Sequence, residues 1–203
     1  MTSVRQQNFL LRKEKILSMA ESLLLDNNED ITLNELAAEM DIAKGTIYKH
    51  FKSKNQLYLE LIILNEKRLL EISKRFNADF RTYVSEFMLY HLHNSNRTIL
   101  LHMIEERLTN TEKGLKELFQ QLYQVREERI LSIRDITRDY LDANHSSMSI
   151  RDYLSFIWTV TYGASLLLNS TSYQKAIGSR ERLIELYVNQ ALIIAPATTN
   201  KKA

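Results

Sequence analysis

Apolar positions recur along this chain every three or four residues, and nowhere in the strict alternation that marks a strand. Phe9, Ile16, Leu17, Ala20, Leu23 and Leu24 form one face of a helix predicted over about Arg5 to Asp26. After the polar break Asn27 to Asp30, Thr32-Leu33-Asn34-Glu35 reads as a capping box that opens a short helix, Leu33 to Met40. A tight turn at Asp41-Ile42-Ala43 leads to a second short helix, Lys44 to about Phe51. A further capping box, Ser53 to Gln56, starts a longer helix through Leu57, Leu61, Ile62 and Leu64 to about Phe76. The remaining pattern predicts helices over about Asp79–His93 and Ile99–Leu108. A long helix follows, capped at Thr109 to Glu112 and ending near Asp142, then Ser149–Leu168 and, after a connection at Tyr173–Gly178, Ser179–Ala195. In the long helix Arg129 interrupts an apolar seam that runs from Leu115 to Tyr140. Glu105-Glu106-Arg107 reads as solvated surface.

The expected fold is all-α, with about nine helices. The order of short helix, tight turn and second short helix, set between longer ones, is the layout of a helix-turn-helix DNA-binding unit. The expected division is 1–53 for DNA binding and 54–203 for a second helical domain. Composition supports long helices: the chain has four Gly and one Pro in 203 residues. It has no Cys, which excludes disulfides and thiolate chemistry. The polar start and the lack of a long apolar run point to a cytoplasmic protein with no membrane span. Paired carboxylates, a nucleophile with its base and a phosphate-cradling glycine loop are not identifiable, so an enzyme is not expected, nor is a cofactor. His91 and His93 do not share a helical face, and no metal site is expected.

The net charge of +2 says little, but its distribution says more. From Ile16 to Ala43 there are seven acids and no Lys or Arg; between Asp41 and Glu60 there are four lysines and no acid. A run of lysines is often only a solvated face. Here Ile42, Ile47 and Phe51 have the spacing to hold the second short helix down, with Ala37 as the small residue at the helix crossing and Asp41 in the turn. The outward side then carries Lys44, Thr46, Tyr48, Lys49 and His50, a set suited to phosphates and base edges in a major groove. Gly45 permits close backbone approach.

The run Ile42-Ala43-Lys44-Gly45-Thr46-Ile47-Tyr48-Lys49-His50-Phe51-Lys52-Ser53-Lys54 closely resembles the recognition segment of the tetracycline-repressor (TetR) family of bacterial transcriptional regulators. The likeness extends back through Thr32 and Leu36-Ala37 to Ile16-Leu17 and on to Leu57. Two positions depart from it: Asp41 stands where glycine is usual, and Ala43 where serine is usual, which costs the helix a cap of about 1 kcal/mol. The resemblance implies DNA contacts at Lys44, Gly45, Thr46, Tyr48, Lys49 and His50, with Thr32 and Lys54 on phosphates. It also implies a homodimer through the last two helices, where Tyr153, Ile157, Val160, Leu167, Leu183, Ile184, Tyr187, Ala191 and Ile194 offer apolar faces. The expected partner is a palindromic double-stranded operator, released when a largely apolar small molecule binds the second domain. Candidate liners of that ligand site are His91, His102, Tyr123, Trp158 and Tyr162. The alternative is an architectural or division-control DNA-binding protein whose second domain meets a protein instead.

Overall fold

The computed structural model describes residues 3–27, 30–111, 113–177 and 179–193. Among these the secondary structure is helical: α1 Val4–Asn27, α2 Leu33–Glu39, α3 Lys44–Tyr48, α4 Lys54–Arg75, α5 Phe80–His93, α6 Ser95–Thr111, α7 Lys116–Ala143, α8 Ile150–Leu168, α9 Thr171–Ile177 and α10 Arg180–Ala191, with a 3-10 turn at Lys113–Leu115.

Two compact units are present. The first comprises residues up to Asn65 together with Leu100–Leu122; the second comprises Glu66–Ile99 and the described residues from Tyr123 onward. In the first unit, Ile16, Ala20 and Leu24 of α1 meet Leu36, Ala37, Ile47, Phe51 and Leu57 in one core, which Leu101, Ile104 and Leu108 of α6 extend. In the second, Phe80, Val84 and Met88 of α5 pack with Tyr153, Ile157 and Ala164 of α8 and with Leu183, Ile184 and Val188 of α10. Among the described residues no helix is long and apolar enough to cross a membrane.

Three expectations need correction. α6 starts at Ser95 and runs through Thr109 to Thr111, so Thr109 caps nothing. Its hydroxyl donates to the Glu105 carbonyl 2.9 Å away, within the helix. Glu112 lies outside the described residues. The segment expected as a connection at Tyr173–Gly178 is mostly a helix, α9, begun where Ser170 Oγ accepts from the Tyr173 N–H at 3.4 Å; Gly178 is outside the described residues. Arg107 is not merely solvated: its guanidinium reaches Asp30 at 3.3 Å.

The apolar stripes of α8 and α10 also resolve into two kinds. Tyr153, Ile157, Leu183, Ile184 and Ala191 are core residues of one chain, while Phe156, Trp158, Leu166, Leu167 and Leu186 are the large apolar side chains left exposed. Ile194 lies outside the described residues.

Candidate nucleic-acid interface

The reading element is set by local chemistry. Thr32 and Glu35 form the full capping box: Glu35 N–H donates to Thr32 Oγ1 at 3.1 Å and Thr32 N–H to Glu35 Oε2 at 2.7 Å. Asp41 takes φ of 51°, the left-handed conformation that Asp tolerates better than most residues, and the Ile42 N–H then closes on the Ala37 carbonyl at 3.0 Å. Ala37 is buried there, where a larger side chain would push α3 away. Ala43 is the N-cap of α3 and makes no side-chain cap bond, so a serine's contribution is absent.

α3 is a single helical turn that presents two sides. Ile47 is fully buried, and Phe51, just beyond the helix, is fully buried as well. Lys44, Gly45, Tyr48 and Lys49 are exposed, and Thr46 is half-buried. Lys44 Nζ stands 6.0 Å from the Tyr48 ring centroid, which keeps a cation against an aromatic face on the outer side. Lys49 follows the last turn of α3 instead of lying within it.

His50 is placed differently from its neighbours. Its ring stacks on Phe9 of α1 with centroids 4.1 Å apart and is half-buried. Burial, followed by the charges of Arg12, Lys13 and Lys49, holds its pKa below the usual histidine value, so the ring is neutral near pH 7. His50 therefore closes α1 onto the reading element. Sequence spacing missed Phe9 in this role, since it lies a whole helix away.

Lys54 begins α4 and is already engaged. Its ammonium donates to Asp30 Oδ2 at 2.8 Å; the Tyr58 hydroxyl donates to the other oxygen of Asp30, and Arg107 approaches the first. Partial burial opposes ionisation of Asp30, but the Lys54 and Tyr58 hydrogen bonds and the two positive charges outweigh it and hold the carboxyl below its ordinary value. The buried Tyr58 hydroxyl also accepts from the Ile31 N–H at 3.1 Å, which fixes the chain entering α2. Asp30 is the residue that organises this corner, and no sequence motif flagged it.

The candidates for a second site fall in different places. A cavity of about 700 Å³ opens between α7 and α8, with Tyr83 and Phe87 of α5 among its walls. Trp158 lines it. His91 and Tyr162 lie close behind Trp158, at ring-centroid distances of 5.3 and 5.9 Å. Neither His102 nor Tyr123 is part of the wall: His102 belongs to the other compact unit, and Tyr123, in the same unit as the cavity, is exposed. Residues that spacing did not single out do line it, Arg134, Arg151 and Leu154 among them. Among the described residues no group of three or more His, Asp or Glu is arranged to hold a metal ion.

His91 is buried with an incomplete set of partners. The Thr98 hydroxyl donates to the His91 carbonyl at 3.2 Å, so its oxygen accepts from His91 Nδ1–H at 3.0 Å; Nε2 is then a bare acceptor with no partner. Burial, reinforced by the charges of Arg129 and Arg97, lowers its pKa to about 3. The unfolded chain takes up this proton near pH 6.5 and the folded one only near 3. Stability should therefore be full above about pH 6.5 and fall as the pH is lowered through that window, by up to about 1.4 kcal/mol per unit. Urea melts at about pH 7 and 4.5 check this: His91→Leu should lose less stability between them than the parent, and equal losses would remove His91 as the cause.

Comparison with known proteins agrees with this geometry. The sequence model for bacterial regulatory proteins of the tetR family matches residues 16–61, from the first core residue of α1 into α4. The HTH-type transcriptional regulator QacR of Staphylococcus aureus is 33% identical over 79 residues, 38% of this chain and 42% of that protein. The HTH-type transcriptional regulator AcrR of Shigella flexneri is 28% identical over 104 residues, 51% of this chain and 45% of that protein. Each match thus spans less than half the relative's length. The matched segment holds the capping box, the turn at Asp41 and the exposed side of α3, and over residues 16–61 the chain is similar to bacterial regulatory proteins of the tetR family.

Proposed function

We propose that this protein is a cytoplasmic transcriptional regulator that represses by binding a palindromic operator and leaves it when a small molecule occupies the second unit. The observation that carries the reading is the exposed set Lys44, Tyr48 and Lys49, carried on α3 and the residue after it, while Ile47 of α3 and Phe51 just beyond it are wholly buried. Residues 1–53 would read the DNA, and 54–203 would carry the effector site and the dimer contacts. Thr32 and Lys54 flank the reading face as phosphate contacts. The Thr32 oxygen accepts within the capping box, so its proton can be donated outward. Lys54 shares its charge with Asp30, so its pull on phosphate is weaker than that of an unpaired lysine.

Gly45 sharpens the reading. A Cβ built on it meets nothing within 4 Å. Among the described residues nothing asks for glycine there, and glycine in a helix costs up to about 1 kcal/mol relative to alanine. The requirement lies outside the chain, in a DNA backbone or base edge that comes close. Gly45→Ala should therefore stabilise the fold slightly in urea melts yet weaken operator binding; unchanged affinity would show that the surface at Gly45 stays clear of DNA.

The homodimer is proposed through α8 and α10, whose exposed Phe156, Leu167 and Leu186 give an apolar surface to bury. Gly163, also without a neighbour where its Cβ would stand, lets a second helix come close. Two reading elements spaced about 34–36 Å apart would then meet two half-sites. The cavity favours a small-molecule effector over the architectural alternative, because its size suits a drug-sized ligand and its lining is mostly apolar. Selection from random DNA with the purified protein tests the reading. Enrichment of a palindrome with half-sites one helical turn apart is expected; recovery of unrelated sequences alone would sink it.

A further inference from the structure

The cavity between α7 and α8 has an apolar wall with an unusual charge pattern. Phe87, Leu154, Ile157 and Trp158 give it greasy surface, while three of its lining residues are arginines: Arg129, Arg134 and Arg151. Among the described residues, none that lines it is acidic.

The carboxylates nearby do not cancel these charges. Glu66, itself buried, is shared by two guanidiniums: Arg126 Nε at 2.9 Å from one oxygen and Arg129 Nε at 3.4 Å from the other. One negative charge against two positive leaves that trio at +1. Arg129 is also poorly satisfied. Its Nε is closed off from solvent without a hydrogen bond of good geometry, its Nη1 reaches the Tyr83 hydroxyl only at 3.5 Å, and its guanidinium lies 5.5 Å from the Phe87 ring centroid.

Arg134 repeats the pattern on the exposed side, since Asp135 serves both it and Arg138, at 3.4 and 3.2 Å. Arg151 has no carboxylate partner among the described residues. The same Arg129 charge, after burial, helps to hold the His91 pKa down. A site that receives a neutral apolar molecule has no need of three arginines in its wall, and a cationic ligand would be repelled by them. Guanidiniums set in apolar surroundings recognise carboxylate, sulfate and phosphate oxygens by charge-assisted, often bidentate hydrogen bonds.

We propose that this cavity takes an amphipathic anion, with its apolar body against Phe87, Leu154 and Trp158 and its acidic head held by Arg129, Arg134 and Arg151. The assignment rests on reading the cavity as the effector site. It adds the sign of the ligand's charge and which end of the ligand meets which residues.

Trp158 is the only tryptophan in the chain and lies in the wall, so its fluorescence reports occupancy directly. Three probes of equal chain length and different head, kept below their micelle concentrations, separate the alternatives: decanoate, decanol and decyltrimethylammonium. Decanoate should saturate the Trp158 signal and bind at least about tenfold more tightly than either of the others. Arg134→Gln with Arg151→Gln, both of which keep the buried Glu66 trio intact, should remove most of that preference and leave decanol binding as it was. Equal binding of the three probes, tighter binding of the cation, no saturable binding of decanoate, or a preference unaffected by the double substitution would each overturn the anionic class. Operator affinity with and without decanoate is measured separately. Binding of decanoate that leaves the operator complex intact would count against release by an effector, while the charge assignment would stand.

Discussion

Tyr48→Ala and Lys49→Ala are each expected to weaken operator binding by about 1–3 kcal/mol, on the order of ten- to hundredfold, while the protein stays folded. Both side chains are exposed on the reading element, so truncation would remove the proposed contact with DNA and almost nothing from the core. Surface changes of this kind move stability by only about 0.5 kcal/mol or less. Fluorescence anisotropy on a selected operator gives the affinity, and urea melts on the same preparations give the stability. The two substitutions should also differ from each other. Losing Lys49 removes a positive charge and should flatten the salt dependence of log K by about one unit. Losing Tyr48 leaves that slope as it was and should relax discrimination among base sequences instead. Parent-like affinity in both variants would mean that this side of α3 does not face DNA.

The helix-turn-helix was legible because what defines it is local. Thr32 and Glu35 are three residues apart and cap each other; Asp41 takes the left-handed turn that its position demanded; Ile47 and Phe51 point where their spacing put them. The Thr109 capping box misled for an equally local reason. A threonine hydroxyl can satisfy itself on a helix carbonyl one turn back, and the pattern alone does not distinguish that from a cap. α9 was missed because seven residues are too few to display a helical period.

Contacts between distant segments were out of reach for a different reason. Spacing put His50 on the outward side of α3, but Phe9 comes across to stack on it, and nothing near His50 in sequence announces that. Arg129 did stand out, as a charge in an apolar seam, and a half-buried arginine there calls for an acid close by. Which acid it meets is a matter of how α4 and α7 pack, and periodicity along one helix holds no information about its neighbour. The same holds for the cavity: Arg134 and Arg151 look like ordinary surface charges until α7 and α8 are seen to share a wall.

The largest loss of stability should come from Phe51→Ala, at about 3–5 kcal/mol. Phe51 follows Tyr48 by three residues, yet it is wholly buried among Ile16, Leu36, Ile47 and Leu57. Lys13 Nζ lies 5.3 Å from its ring centroid while also pairing with Glu60, so the ring supports the contact of α1 with α4 as well. Removing it opens a void under the reading element and takes away the anchor that turns Tyr48 and Lys49 outward. A deficit of this size is a large fraction of the roughly 5–15 kcal/mol that keeps a typical domain folded. Operator binding should be lost as well, but by a route that separates it from Tyr48→Ala. In Phe51→Ala the midpoint of the urea melt should fall in step with affinity, and a conservative Phe51→Leu should restore much of both. If Phe51→Ala instead kept the parent midpoint, the packing described for the first unit would be wrong, and with it the basis for assigning the opposite side of α3 to DNA.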